Sequence, residues 1–173
     1  MSSARHRVHL AAHLVRRFFG RFRHRPLEEA ELRWVTQRLT RPERALWLRQ
    51  SPADQRHSLT AAQLVTVETE PGAVPPAWVS AAALLHDIGK IEADLGVAGR
   101  VAAALLGAVG VRRAPGRLGR HLRYPELGAD LLRAAGSDAL VVAWAAEHHL
   151  EPTRWTVPLH WAAALLIADD AAV

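Results

Sequence analysis

Trp78-Val79-Ser80-Ala81-Ala82-Ala83-Leu84-Leu85-His86-Asp87-Ile88-Gly89-Lys90 is the stretch on which the reading of this chain turns. Apart from Ser80, the segment from Trp78 to Leu85 is apolar on every face, the composition of a buried helix rather than of a surface one. It runs straight into an imidazole and a carboxylate, His86-Asp87. Buried groups of that kind need partners, and a divalent cation satisfies both at once. If the helix runs on, Lys90 lies one turn from the pair on the same face, an ammonium placed where an anionic substrate would sit. Gly89 lets the backbone approach a neighbour closely or ends the helix.

Working outward, Ser51-Pro52-Ala53-Asp54 reads as an N-cap, a first-turn proline and an acidic third position, opening a helix that carries His57. Pro26 leads into a helix over about 27–39, and Thr40 with Pro42 and Glu43 starts another. Residues 70–76 form a proline-rich loop. Further helices are expected over about 97–108, 125–135, 138–149 and 158–171. No segment alternates as a half-buried strand does, and the alanine-rich run from 139 to 146 suits a helix. The expected fold is all-α, with no internal repeat.

A chain of 173 residues, half of them hydrophobic, has the size and composition of one globular domain. It contains no cysteine, so any metal must be held by nitrogen and oxygen. No apolar run is long enough to cross a bilayer. Seven arginines (Arg5, Arg7, Arg16, Arg17, Arg21, Arg23 and Arg25) precede the first acidic residue, Glu28. Without them the formal charge of +5 becomes slightly negative, so the basicity belongs to an arm, residues 1–25, and not to the domain, residues 26–173. A nucleic-acid-binding reading of the whole protein thereby loses most of its support. Within the arm, Val8, Ala12, Val15, Phe19 and Phe22 form one stripe at helical spacing. The favoured reading packs Phe18, Phe19 and Phe22 against the domain and leaves the arginines in water. The other lays the arm on an anionic membrane or a nucleic acid. Arginines interrupt any leader-like apolar stretch, which argues against a cleaved signal peptide. The expected location is cytoplasmic, or membrane-peripheral if the arm is a tether.

One His-Asp pair cannot hold a metal. Further candidates are His57, His121, His148-His149 and Asp169-Asp170, each on a different expected helix. In a helical bundle, sites are built where inward-facing groups from several helices converge. Singly, His57 also suits a surface cap, and Asp169-Asp170 a solvated helix end. Together, in apolar surroundings, they point to a site.

The order His57, His86-Asp87, Asp169 resembles the H…HD…D signature of HD-superfamily phosphohydrolases, and His86 to Lys90 matches the HDIGK form of that motif. The resemblance spans about residues 51–170. His148-His149 is similar to the extra His pair of the two-metal branch related to HD-GYP proteins. Tyr124-Pro125-Glu126-Leu127-Gly128 resembles that branch's H-P-x-x-G segment, with tyrosine in the place of histidine; phenol is a poor substitute for imidazole near neutral pH, so the second site is expected to be weakened. His121 lies one turn earlier. After His149 no Gly-Tyr-Pro follows, which weakens any inference toward a cyclic dinucleotide.

The resemblance implies an HD-domain helical bundle and a metal-dependent phosphohydrolase. A divalent cation (Mn, Fe, Co or Mg) would be held tightly by His57, His86, Asp87 and Asp169. A second, weaker one would sit near His148, His149 and His121, with Asp87 bridging the two. The cation lowers the pKa of a bound water, and hydroxide attacks phosphorus in line. Asp87 and Lys90 are the expected catalytic pair, Lys90 contacting the substrate phosphate. The implied substrate is a small phosphoester, a nucleotide by class. The alternative is a regulatory module that binds metal and nucleotide without turnover.

Overall fold

Helix starts in the first half of the chain are fixed by local capping. Thr40 Oγ1 accepts from the Glu43 amide at 3.4 Å, and the Glu43 carboxylate accepts from the Thr40 amide at 2.8 Å. This reciprocal box opens the helix Arg41–Trp47 (α2), as expected from the sequence. At the next start, Ser51 Oγ accepts from the Asp54 amide at 3.2 Å and donates to the Asp54 carboxylate at 2.6 Å. That cap opens α3, Pro52–Val67, and accounts for the burial of a carboxylate at its first turn. The preceding helix, Glu29–Thr36 (α1), ends earlier than the 27–39 expected. Its Glu31 takes a paired contact from Arg56 of α3, at 2.5 and 3.0 Å, which clasps α1 to the bundle.

The computed structural model describes residues 26–67, 74–93, 95, 99 and 114–172. The expected basic helix over 1–25, all but one residue of the helix expected over 97–108, and residues 70–73 of the expected loop lie outside the described residues. Among the described residues there are eight α-helices, two 3₁₀ turns and no strand. The others are α4 (Ala77–Leu85), a 3₁₀ turn (Ile88–Glu92), α5 (Gly116–Leu122), α6 (Tyr124–Ala134), α7 (Ala139–Glu147), a 3₁₀ turn (Pro152–Arg154) and α8 (Leu159–Ala171). Neither 3₁₀ turn nor α5 was anticipated. No helix among the described residues is long and apolar enough to cross a membrane.

Helix α4 is central. Every residue from Val79 to Leu85 is buried, with α3 packed on one side and α7 on another, while α8 lies across α3. Leu59, Val65, Leu84, Leu85, Leu132, Val141, Trp144 and Leu165 fill the space between them. Each such side chain contributes about 1.5–3 kcal/mol relative to exposure, so the convergence of these helices is set by apolar burial and not by the polar groups at their ends.

Directly after α4 the chain does not continue as α-helix. Asp87 takes φ −95° and ψ 9°, and Ile88–Glu92 tightens into 3₁₀ form, with the Lys90 amide on the Asp87 carbonyl at 3.0 Å. Gly89 explains why. A Cβ there would stand 1.8 Å from the Tyr124 carbonyl oxygen and 2.6 Å from the Gly128 amide, and one on Gly128 would meet the Gly89 amide at 3.0 Å. Two glycines thus let the turn after α4 press backbone to backbone on the first turn of α6.

Candidate metal centre

The centre is assembled from helix ends. His86-Asp87 and His148-His149 each follow directly on the last residue of a buried helix, α4 and α7. Helix C-termini carry unsatisfied carbonyls and the negative end of the dipole, an environment that favours cations. The carbonyls also orient the rings. His86 Nδ1 donates to the Ala83 carbonyl at 2.9 Å, and His148 Nδ1 to the carbonyls of Trp144 and Ala145, both at 3.1 Å. His57, on α3, does the same toward the Ala172 carbonyl at 3.2 Å. A carbonyl only accepts, so each contact places the proton on Nδ1 and leaves Nε2 as the free donor atom.

Those Nε2 atoms face carboxylates. His57 Nε2 is 2.6 Å and His86 Nε2 3.2 Å from Asp169 Oδ1, which α8 supplies. His86 Nε2 is also 3.5 Å from Asp87 Oδ2, and His148 Nε2 is 3.8 Å from Asp87 Oδ1. Two sets of donors result, His57–His86–Asp169 and Asp87–His148–His149, the ligating atoms of each lying within 4.8 Å of one another. Asp87 turns one oxygen to each side and so stands between the two. His57, His86, Asp87 and His148 are buried, whereas His149 is exposed.

Charge divides the centre as well. Burial opposes a charged imidazole at His86, but the carboxylates of Asp87 and Asp169 outweigh it and raise its pKa to about 10. Burial works against Asp87 and Asp169 too, yet Lys90 and His86 hold Asp87 well below the usual carboxylate range, and His86 with His57 does so for Asp169. At His148, burial reinforced by His149 and His86 lowers the pKa to about 3. His149 is lowered as well, by partial burial against the centre. His148 is therefore a neutral ligand near neutral pH, while His86 carries a positive charge that a cation can replace. The donor set is all nitrogen and oxygen, oriented from behind, with separations that small side-chain shifts close around cations. It fits divalent metal.

Lys90 lies where the motif suggested, though on a 3₁₀ turn: its Nζ pairs with Asp87 Oδ2 and stands 5.0 Å from the centroid of the Tyr124 ring. His121 joins neither donor set; its ring is 5.7 Å from that of Tyr124. Asp170 is exposed, one residue beyond Asp169. Tyr124, in the place of the expected histidine, also lies at the second set. Its hydroxyl makes a direct contact with His149 Nε2 and lies 3.4 Å from His148 Nε2.

No curated protein and no solved structure matches the chain significantly. The HD domain family model matches residues 54–170, opening just before His57 and closing directly after Asp169. HD domains are generally hydrolases that bind divalent metals. With two thirds of its length matched and with histidines and aspartates of the match gathered at one centre, the chain belongs to the HD domain family.

Proposed function

We propose that this chain is a metal-dependent phosphohydrolase that cleaves a phosphoester, of a nucleotide by class. One observation carries the reading: three buried histidines commit Nδ1 to backbone carbonyls and turn Nε2 toward the carboxylates of Asp87 and Asp169. A structural polar cluster needs no such uniform orientation, whereas ligation does. The nucleotide part of the reading is carried by the family resemblance.

A bound divalent cation supplies Lewis acidity and a water activated near neutral pH. His57, His86, Asp87 and Asp169 hold it tightly in this reading, and His148 and His149 favour a second. The remaining work falls to the chain. Asp87 is shared between Lys90 and both donor sets. With Asp87 engaged as a ligand, the Lys90 ammonium is available to a phosphoryl oxygen and offsets its charge. The exposed His149 marks the side from which a phosphate enters.

The test is a hydrolysis screen with purified protein, Mn²⁺, Fe²⁺, Co²⁺ and Mg²⁺ crossed with mononucleotides, dinucleoside polyphosphates, alarmones and cyclic nucleotides. Turnover should require metal, stop on chelation, and fall by about a hundredfold or more in Asp87→Ala. Binding without turnover under every metal would replace the enzyme by a regulatory module.

A further inference from the structure

We propose that Tyr124 is a cation ligand, its Oη completing the Asp87–His148–His149 set to two nitrogens and two oxygens. The inference rests on the metal-dependent reading above and goes beyond it, because it reverses the expectation that a tyrosine at this position weakens the second site. Two contacts support it. Tyr124 Oη lies 3.4 Å from His148 Nε2. Two donors bound about 2.1 Å from one tetrahedral cation stand about 3.4 Å apart, so the spacing is that of co-ligands. Oη also contacts His149 Nε2, more closely than co-ligands stand, so it is within reach of both imidazoles of the set.

The ring is placed by backbone, not by chance on a surface. Tyr124 is the first residue of α6, and its carbonyl is the atom that bars any side chain at Gly89. The same crossing that positions Asp87 and Lys90 therefore positions Tyr124. Lys90 Nζ lies 5.0 Å from the ring centroid, on the same crossing. On ligation the phenolic proton leaves to solvent, and Oη binds as phenolate. A set with two anionic oxygens suits a harder cation, Mn²⁺ or Fe³⁺, better than an imidazole-rich set does.

The chain has one tyrosine, which makes the test specific. Full-length protein loaded with Fe²⁺ and oxidised to Fe³⁺ should show the visible charge-transfer band of a ferric phenolate, which imidazole and carboxylate ligands do not give. Tyr124→Phe should lose the band and bind the second of two Mn²⁺ ions about tenfold or more weakly, with the first unchanged. Tyr124→His, which restores a donor, should bind both Mn²⁺ ions and show no band. A wild type without the band overturns the proposal. So does a Tyr124→Phe variant with unchanged affinities, or one that binds the second ion more tightly, which would mean that the phenol plugs the site. If wild type binds no Mn²⁺ at all, the metal-dependent reading falls with it. Two ions bound alike by wild type and Tyr124→Phe sink the ligand proposal and leave that reading standing.

Discussion

His86 and His148 occupy matching places, each directly after a buried helix, each with Nδ1 on a carbonyl of that helix, with ring centroids 5.2 Å apart. Their protons behave in opposite ways. Burial disfavours charge at both, but His86 stands 3.2 Å from Asp169 Oδ1 and 3.5 Å from Asp87 Oδ2, and its pKa rises to about 10. His148 is 3.8 Å from Asp87 Oδ1 and crowded by two other imidazoles, and its pKa falls to about 3. The comparison teaches that local architecture does not set the electrostatics of a ligand. The carboxylates gathered around it do, Asp87 next in the chain first and Asp169 brought in by α8 second. The His57–His86–Asp169 set attracts positive charge and must give up a proton to take a cation. The other set offers an imidazole that is already neutral.

The sharpest way to break this division is Gly89→Ala. The added Cβ meets backbone at 1.8 Å and cannot be relieved by a rotamer change. We expect a loss of about 3 kcal/mol or more in denaturant unfolding. Cation binding by Asp87–His148–His149 should fail first, because that set depends on the crossing. If both sets lose affinity together, they form one unit and the comparison is wrong.

Next in size are His86→Ala and His148→Ala. Each should weaken Mn²⁺ at its own set by about 10–100-fold or more and leave the other set within a few-fold, as read by calorimetric titration. A large cross-effect would show that Asp87 couples the sets more strongly than its two divided oxygens suggest.

Protons give a third test, in chelated protein. His86 has a raised folded pKa, so its stabilisation is complete below about 6.5 and is lost as pH rises toward about 10. His148 has a lowered one, so the unfolded chain alone takes its proton between about 6.5 and about 3, and stability falls as pH drops through that window. Each limb has a slope of up to about 1.4 kcal/mol per pH unit. His86→Gln should flatten the alkaline limb and His148→Gln the acid limb, in melts followed across pH. The same limb flattened by both variants would refute the opposite assignments.

The smallest expected effect is at Ser51, which caps the helix bearing His57 but touches no donor atom. Ser51→Ala should cost about 1 kcal/mol of stability and leave Mn²⁺ affinity unchanged at both sets. A shift in affinity would mean that the position of α3 is set by its cap rather than by its packing.

Much of this was legible in the chain. The box at Thr40, the cap at Ser51, the unbroken apolar run before His86, and the helices that lead to His148 and carry Asp169 are local features, written within a few residues of where they act. The all-α fold and the membership of His57, His86, Asp87 and Asp169 in one centre follow from them together with the motif. Local signals could not fix how the donors are shared. Asp87, which the resemblance has bridging two cations, turns one oxygen to each set; His121, a candidate for the second, joins neither; Tyr124, expected to weaken the second site, lies against both of its imidazoles. Those outcomes depend on contacts such as His57 with Asp169, 112 positions apart, and on a glycine crossing between two segments. Spacing along a helix determines which face a residue occupies. Which faces meet, and at what distance, is decided by the packing of apolar surfaces from the whole domain, so the proton affinities and the ligand groupings emerge only in the tertiary structure.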